Sequence, residues 1–377
     1  MKLRYRLLSV LMLLTCFCSF GLSINAFAAD ISAKAAIVID AVTGEIIYGK
    51  NESEKLPMAS TTKIMSTLIV LEQGDLDEEF VVDADSIKVE GSSMGLKEGY
   101  KVTLKKLCYG MMLPSGNDAA NAAAVRISGS VEKFVKLMNE RAEELGLKNT
   151  HFVTPSGLDD YTDDHYSTAY DMAILMKTAL KNETFREIIG TKNMTVDFGN
   201  DNTNYLVNSN KLWSYCDGII GGKTGFTDKA KRCLVSACER DDTTLICVTL
   251  NASDDWNDQT SLYNRCFTKY KSVSLEPSAD TFKLPVVGGN VSFIEAECKS
   301  VKKGVLAGDT SDVSESIVIM PFYYAPVKSG DVVGEVRFKK NGEIIAVSPI
   351  TAVSDVTQSN ETLDFLDRIE LFFRNLF

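Results

Sequence analysis

The pattern of the chain changes once, at Glu276-Pro277, and that change limits the folds open to it. Before it, strand-like and helix-like stretches are interleaved; after it, residues 281–353 are short runs rich in Val, Ile and Phe. Asn341-Gly342 stands between Val336-Arg337-Phe338 and Ile344-Ile345-Ala346-Val347, the signal of a hairpin with a two-residue turn. A chain of 377 residues divided there has one large and one small unit. With 45% apolar and 24% charged residues, both can build ordinary cores.

In the larger unit, Ala35–Asp40 and Glu45–Tyr48 flank Val42-Thr43-Gly44 and predict a hairpin. Ile64–Leu71 predicts a buried helix. Further helices are expected at 103–113, 117–128, 131–145 and 168–180, with Thr168 and Asp171 as a loose capping box. Strands follow at 232–239 and 243–250, then a helix from about 256 to 270. Strands at both ends with helices between predict an α+β domain over 29–275, followed by a small β-sandwich domain over 276–355.

The two ends read differently. Lys2, Arg4 and Arg6 precede the apolar run Leu7–Leu14, and Ala26-Phe27-Ala28 fits a cleavage site, so residues 1–28 are expected to be an export signal. Removing those three cations takes the net charge from −11 to −14, which argues against nucleic acid as a partner. At the other end, 356–377 reads as a polar linker and an amphipathic helix. Phe365, Leu366, Ile369, Phe372, Phe373, Leu376 and Phe377 share one arc, opposite Asp364, Asp367, Arg368, Arg374 and Asn375. Sixteen helical residues rise about 24 Å. The continuous polar face therefore favours lying on a membrane surface over crossing it. Packing of this helix against the β domain is the competing reading.

Seven cysteines remain beyond the signal: Cys108, Cys216, Cys233, Cys238, Cys247, Cys266 and Cys298. An odd number without a Cys-x-x-Cys pair is no disulfide framework, although one pair stays open. They are expected to be small buried apolar residues. With only His151 and His165 besides, no metal site and no cofactor are expected.

A nucleophile must then be activated some other way. In Ser60-Thr61-Thr62-Lys63 the i, i+3 spacing lets a lysine reach a serine hydroxyl, and burial beside another cation can hold that lysine neutral. Alone the motif is weak, because Ser130/Lys133 and Ser300/Lys303 repeat it at positions that read as surface. Ser115-Gly116-Asn117, between two predicted helices, adds a hydroxyl and an amide. Lys223-Thr224-Gly225 occurs once, before the predicted strand 232–239. Gly222-Lys223-Thr224 also ends like a phosphate-binding loop, but that loop needs a glycine where Asp217 stands.

The three motifs, in this order, resemble the set of the penicillin-recognising serine enzymes. More specifically, the chain resembles the serine-type D-Ala-D-Ala carboxypeptidases, the low-molecular-mass penicillin-binding proteins. Pro57–Met65, Met112–Ala120, Asn139, Ala142, Leu145-Gly146, Phe152, Pro155, Gly157-Leu158, His165–Ala169 and Ala325–Lys328 carry the likeness. It implies a penicillin-binding/β-lactamase-like catalytic domain, an antiparallel sheet with helices. It implies Ser60 as the acylated nucleophile, Lys63 as general base and Ser115 as proton relay. Asn117 would bond the substrate amide and Lys63. Lys223, Thr224 and Gly225 would form the substrate-binding strand, the first two gripping the terminal carboxylate. The backbone N–H groups of Ser60 and Phe226 would form the oxyanion hole.

The implied substrate is a peptidoglycan pentapeptide ending in D-Ala-D-Ala, with β-lactams as covalent inhibitors, at the extracytoplasmic face of the membrane and the cell wall. His165 reads as structural. Some members place an arginine downstream of Lys-Thr-Gly. Here Asp254-Asp255-Trp256-Asn257-Asp258 occupies that region and resembles members from spore-forming Gram-positive bacteria, with Lys231-Arg232 a candidate replacement. Two further functions stay open. A β-lactamase would use a glutamate to activate the deacylating water, but Glu143 and Glu144 read as a solvated helix face. A non-catalytic wall-binding protein is opposed by the intact Ser60, Lys63 and Ser115.

Overall fold

The computed structural model describes residues 31–159, 162–241, 243–306, 310–340 and 342–359. The expected export signal and the expected C-terminal helix lie outside the described residues. The chain begins with β1 (Ala35–Asp40) and β2 (Ile46–Lys50). A 3-10 turn (Ala59–Thr62) leads into α1 (Lys63–Gln73). Next come β3 (Phe80–Val81), β4 (Lys101–Val102), α2 (Leu104–Met112), α3 (Asn117–Ser128) and α4 (Val131–Glu144). They are followed by α5 (Ala169–Ala179), α6 (Glu183–Gly190), β5 (Asn193–Asp197) and β6 (Thr203–Val207). The main sheet is completed by β7 (Ile219–Thr227), β8 (Lys231–Arg240) and β9 (Thr243–Ala252), and α7 (Asp255–Lys269) closes the unit.

The main sheet has the order β2-β1-β9-β8-β7, antiparallel throughout. It is covered on both faces, which is why β1 reads as an unbroken apolar run. Ala35, Ile37 and Ile39 enter the large core beneath α1–α6, and Ala36 and Val38 enter a smaller one beneath α7. Every described cysteine is buried and unpaired, the role expected of small apolar residues; none forms a disulfide.

Local chemistry sets the helix limits. Thr103, Ser130 and Asn182 are N-caps whose side chains accept the backbone N–H three residues on. Thr168 caps α5 in the same way, but the box is one-sided. The Asp171 carboxylate accepts from Asn149 N and Thr150 Oγ1 instead of reaching back. Gly129, at φ 77°, ends α3 in the left-handed conformation a helix stop favours.

The second unit comprises β10 (Tyr270–Leu275), β11 (Thr281–Val287), β12 (Phe293–Cys298), β13 (Val301–Leu306), β14 (Val313–Ile319), β15 (Tyr323–Tyr324), β16 (Val332–Lys340) and β17 (Glu343–Ala352). Six strands form a sheet in the order β14-β16-β17-β12-β11-β15. The hairpin β16–β17 turns between the paired Lys340 and Glu343, at the expected place. β10 pairs with β13, although it lies wholly before the expected division at 275/276. Tyr270 packs into the core beneath α7, while Leu275 packs into the β core.

Candidate active site

Ser60 lies not in the helix its spacing suggested but in the 3-10 turn before it, where residues i and i+3 eclipse. Lys63 is the first residue of α1 and is fully buried, whereas Ser60 is half-buried. The turn starts at Ala59, held at φ 48°, a conformation costly for a residue with a Cβ. It is braced from three sides. Thr61 Oγ1 donates to Met58 O at 2.6 Å, and Thr62 Oγ1 donates to Ala59 O at 2.8 Å. Gly157 (φ 90°) packs so closely that a Cβ there would sit 2.0 Å from Ala59 O; no other residue fits.

His165 supports the same turn. Its Nδ1 accepts from Val153 N at 2.9 Å, so Nε2 carries the proton and donates to Thr62 Oγ1 at 2.8 Å. Burial, with the charges of His151 and Lys63, holds its pKa down to about 3, which keeps it neutral. This is the structural role expected of it.

The Lys63 amine contacts three oxygens: Ser60 Oγ at 2.9 Å, Asn117 Oδ1 at 2.7 Å and Ser156 O at 2.6 Å. As an ammonium it donates to all three. Once it loses a proton, the two carbonyl oxygens, which can only accept, retain its two N–H groups. The lone pair is then left toward Ser60 Oγ. Burial first, and the nearby Lys223 charge second, hold its pKa well below the usual lysine value, against the opposing pull of Asp118.

Ser115 lies between α2 and α3 at φ 66°, and its side chain is buried. Asn117 opens α3. Its Oδ1 meets Lys63 as expected, but its Nδ2 donates to Glu90 O at 2.7 Å, so that N–H is already committed within the protein. Asp118, which the sequence placed in the Met112–Ala120 segment without a role of its own, is the principal support. Its Oδ1 accepts from Met94 N and Ala119 N, both at 2.9 Å. Its Oδ2 accepts from Ser93 Oγ at 2.6 Å, Gly95 N at 3.1 Å and Leu96 N at 3.0 Å. The loop 90–96 is thereby clamped to the N-terminus of α3. The flanking Gly91 and Gly95, both at positive φ, were the available signal.

Lys223-Thr224-Gly225 lies within β7, not ahead of the first strand of its region. The strand escapes recognition because three glycines interrupt it, each for a steric reason. A Cβ on Gly221 would approach Ile189 O to 2.4 Å, and one on Gly222 would approach Val235 O to 2.4 Å. A Cβ on Gly225 would lie 3.1 Å from Ser60 N, so the Gly225–Phe226 peptide runs past the Ser60 amide. β7 is the sheet edge, with alternate N–H and C=O groups facing away from β8. Lys223 is fully buried and donates to Thr224 O at 2.7 Å; burial lowers its pKa to about 7. Thr224 Oγ1 and Ser209 Oγ are 2.7 Å apart, which adds Ser209 to this wall. A lysine in mid-strand also disposes of the phosphate-loop alternative.

Other candidates are occupied elsewhere. Arg232 does not replace the downstream arginine: its guanidinium bonds Asp255 Oδ1 at 2.6 and 2.7 Å and stacks on Trp256. Asp258 accepts from Ser32 N, Ser32 Oγ and Ala33 N at 2.8–2.9 Å, so the acidic segment secures the start of the domain. Ser130 is a helix cap, and Lys303 pairs with Glu45 at 2.6 Å. Glu143 and Glu144 are exposed, the latter bonded to Arg141.

A hydroxyl held against a buried amine, beside a strand edge that carries a second buried amine, is the equipment of acyl transfer to serine. A family model described as D-alanyl-D-alanine carboxypeptidase matches residues 23–254, and one described as penicillin-binding protein 5, C-terminal domain, matches 271–358. The chain belongs to the D-alanyl-D-alanine carboxypeptidase family, serine-type enzymes of the penicillin-binding class. It is 37% identical over 352 residues to D-alanyl-D-alanine carboxypeptidase DacF of Bacillus subtilis, covering 89% of this chain and 88% of that one. To DacC of Escherichia coli it is 33% identical over 351 residues, covering 88% and 86%. The structure of penicillin binding protein 5 from Haemophilus influenzae superposes with a TM-score of 0.72 at 27% identity, covering 87% of this chain and 98% of that one.

Proposed function

We propose that the enzyme removes the terminal D-alanine from peptidoglycan stem peptides ending in D-Ala-D-Ala. Lys63 takes the Ser60 proton, and Ser60 Oγ attacks the penultimate carbonyl while the Ser60 and Phe226 N–H groups receive the oxyanion. Ser115 passes a proton to the leaving D-alanine. The substrate lies along the edge of β7 with its carboxylate toward Lys223 and Thr224. Water then hydrolyses the acyl-enzyme. A β-lactam acylates the same serine.

The observation that carries this reading is the set of three acceptors around Lys63 Nζ, which turns the lone pair of a neutral amine toward Ser60. The exposed setting of Glu143 and Glu144 gives the β-lactamase alternative no support. Family membership implies an extracytoplasmic, wall-associated enzyme. The finer expectations of a cleaved signal over 1–28 and a tail over 356–377 that lies on the membrane surface belong to the same proposal. Among the described residues no helix is long and apolar enough to cross a membrane. The kinship with members from spore-forming bacteria is supported by the Bacillus subtilis relative, although Escherichia coli relatives match as well.

Intact-mass analysis with a β-lactam tests the site. One adduct is expected, on Ser60, and none in Ser60→Ala. The mature protein should also release D-alanine from a D-Ala-D-Ala peptide. An adduct mapped elsewhere, or rapid penicillin turnover without accumulation, would overturn the reading.

A further inference from the structure

The β unit exposes apolar side chains at one end of its sheet. Met320 is 62%, Phe322 41% and Tyr324 70% exposed; Val291 on the neighbouring turn is exposed as well, as is Phe293 at the start of β12, where the Lys283 ammonium lies over its ring at the margin of the patch. The Phe322 and Tyr324 rings pack edge to face with centroids 5.4 Å apart, so the tip is ordered by its own contacts.

Three segments meet here. The end of β11 pairs with β15, Val287 opposite Tyr324. Immediately beyond, Gly289 bridges Gln358, and Ser359 N donates to Gly288 O at 2.9 Å. The last described residue therefore leaves the domain beside the exposed tip, and the sixteen-residue amphipathic sequence 362–377 begins three residues later. None of the residues 286–293, 319–327 and 356–359 is charged, in a chain where 24% of residues are. Uncharged backbone, aromatic rings and apolar side chains at one spot are the composition of a membrane–water interface, where charge is costly to desolvate and Tyr and Phe are not.

We infer that this end of the β unit, built on Val291, Phe293, Met320, Phe322 and Tyr324, is a second lipid-contacting surface that rests on the phospholipid bilayer beside the C-terminal tail. The inference rests on the proposal that the tail lies on the membrane. The occupant follows from where the chain leaves the domain: a tail held in the headgroup region from residue 362 keeps the tip within a few residues' reach of that same surface. Two contacts on one rigid unit bind more tightly than either alone, because the second is made at the high local concentration set by the first. They also fix the angle at which the catalytic unit stands over the membrane.

The test uses the chain from Ala29 to Phe377, active in β-lactam binding, and vesicles of phosphatidylcholine with or without phosphatidylglycerol. Phe322→Ser/Tyr324→Ser should lower vesicle partitioning roughly tenfold while leaving β-lactam acylation unchanged. Tyr324→Trp should show blue-shifted emission and quenching by brominated lipid; the native Trp213 and Trp256, both in the catalytic unit, serve as the background. If the full chain floats but the double variant floats equally and Tyr324→Trp shows no quenching above that background, the tail anchors alone and the lipid-contact inference fails. If the full chain does not float while its truncation at Ser359 behaves identically, the anchoring proposal itself fails and takes the inference with it. A lipid-independent dimer in sedimentation, dissolved by the double variant, would assign the surface to a second copy and overturn the inference.

Discussion

The two units place their side chains in opposite ways. The catalytic unit takes charge inside: Lys63, Lys223, Asp118, Asp171, Asp255 and Asp258 are all buried. The β unit puts Ile317, Ile319, Met320, Phe322 and Tyr324 outside. Each arrangement costs free energy in isolation, and each is offset differently. Buried charges are offset within the fold, by hydrogen bonds that the protein supplies. Exposed apolar groups find no such relief inside the domain and depend on what lies against them. The comparison separates chemistry that a scaffold completes by itself from a surface that, on the lipid-contact inference, a partner completes.

The sharpest break in that comparison is the removal of the reacting pair. Ser60→Ala should abolish β-lactam acylation. Lys63→Arg, which keeps the charge but cannot lose a proton, should slow it by at least roughly a thousandfold in stopped-flow assays. If Lys63→Arg retained near-normal acylation, Lys63 would be a positive charge in the site and not its base. Next in size is Asp118→Ala, which strands buried N–H groups of the 93–96 loop. It should cost about 3–5 kcal/mol in denaturant unfolding and depress acylation through Asn117.

Lys223→Ala is expected to lower kcat/KM for free-acid peptides ten- to a hundredfold, the worth of a charge-assisted bond of ~1.5–3 kcal/mol. It should also redraw the pH profile. In the parent, activity rises as Lys63 loses its proton, at a pH well below the usual lysine value, and falls as Lys223 loses its own near 7. Deleting Lys223 removes the falling limb. It also removes a like charge from Lys63, which shifts the rising limb to higher pH. A profile with both limbs unmoved would detach the two lysines from one another. Smallest of all, Ser300→Ala and Ser130→Ala should leave acylation unchanged. Ser130→Ala should cost about 1 kcal/mol of stability as a lost cap, and Ser300→Ala no more than about 0.5 kcal/mol.

What could be read in advance followed the range of the interaction. Helix limits at Thr103, Ser130 and Thr168 depend on neighbours three residues away, and the β16–β17 turn on the pair Asn341-Gly342, so both were legible. The three motifs were legible as chemistry. Their supports were not, because the loop 90–96 acts through backbone groups that any residue carries, and Asp118 is one acid among many until the fold brings five donors to it. β7 was hidden for another reason. Glycines weaken a strand on propensity, and only the approach of Ile189, Val235 and Ser60 explains why they stand there. Arg232 was misread because nothing local distinguishes a cation free for substrate from one bound to Asp255.

The pairing of β1 with β9 has a consequence for how the molecule comes into being. Ala36 stands opposite Thr249, and Ser32 is latched to Asp258 at a sequence separation of 226. The sheet is closed by the first and last parts of its own sequence, with all the helices α1–α6 between them. A chain emerging N-terminus first therefore carries the β1–β2 hairpin with the other edge of β1 unpaired until β9 and α7 have followed. Its contact order is high, and the nucleophile turn, which leans on β7, cannot take shape before that closure.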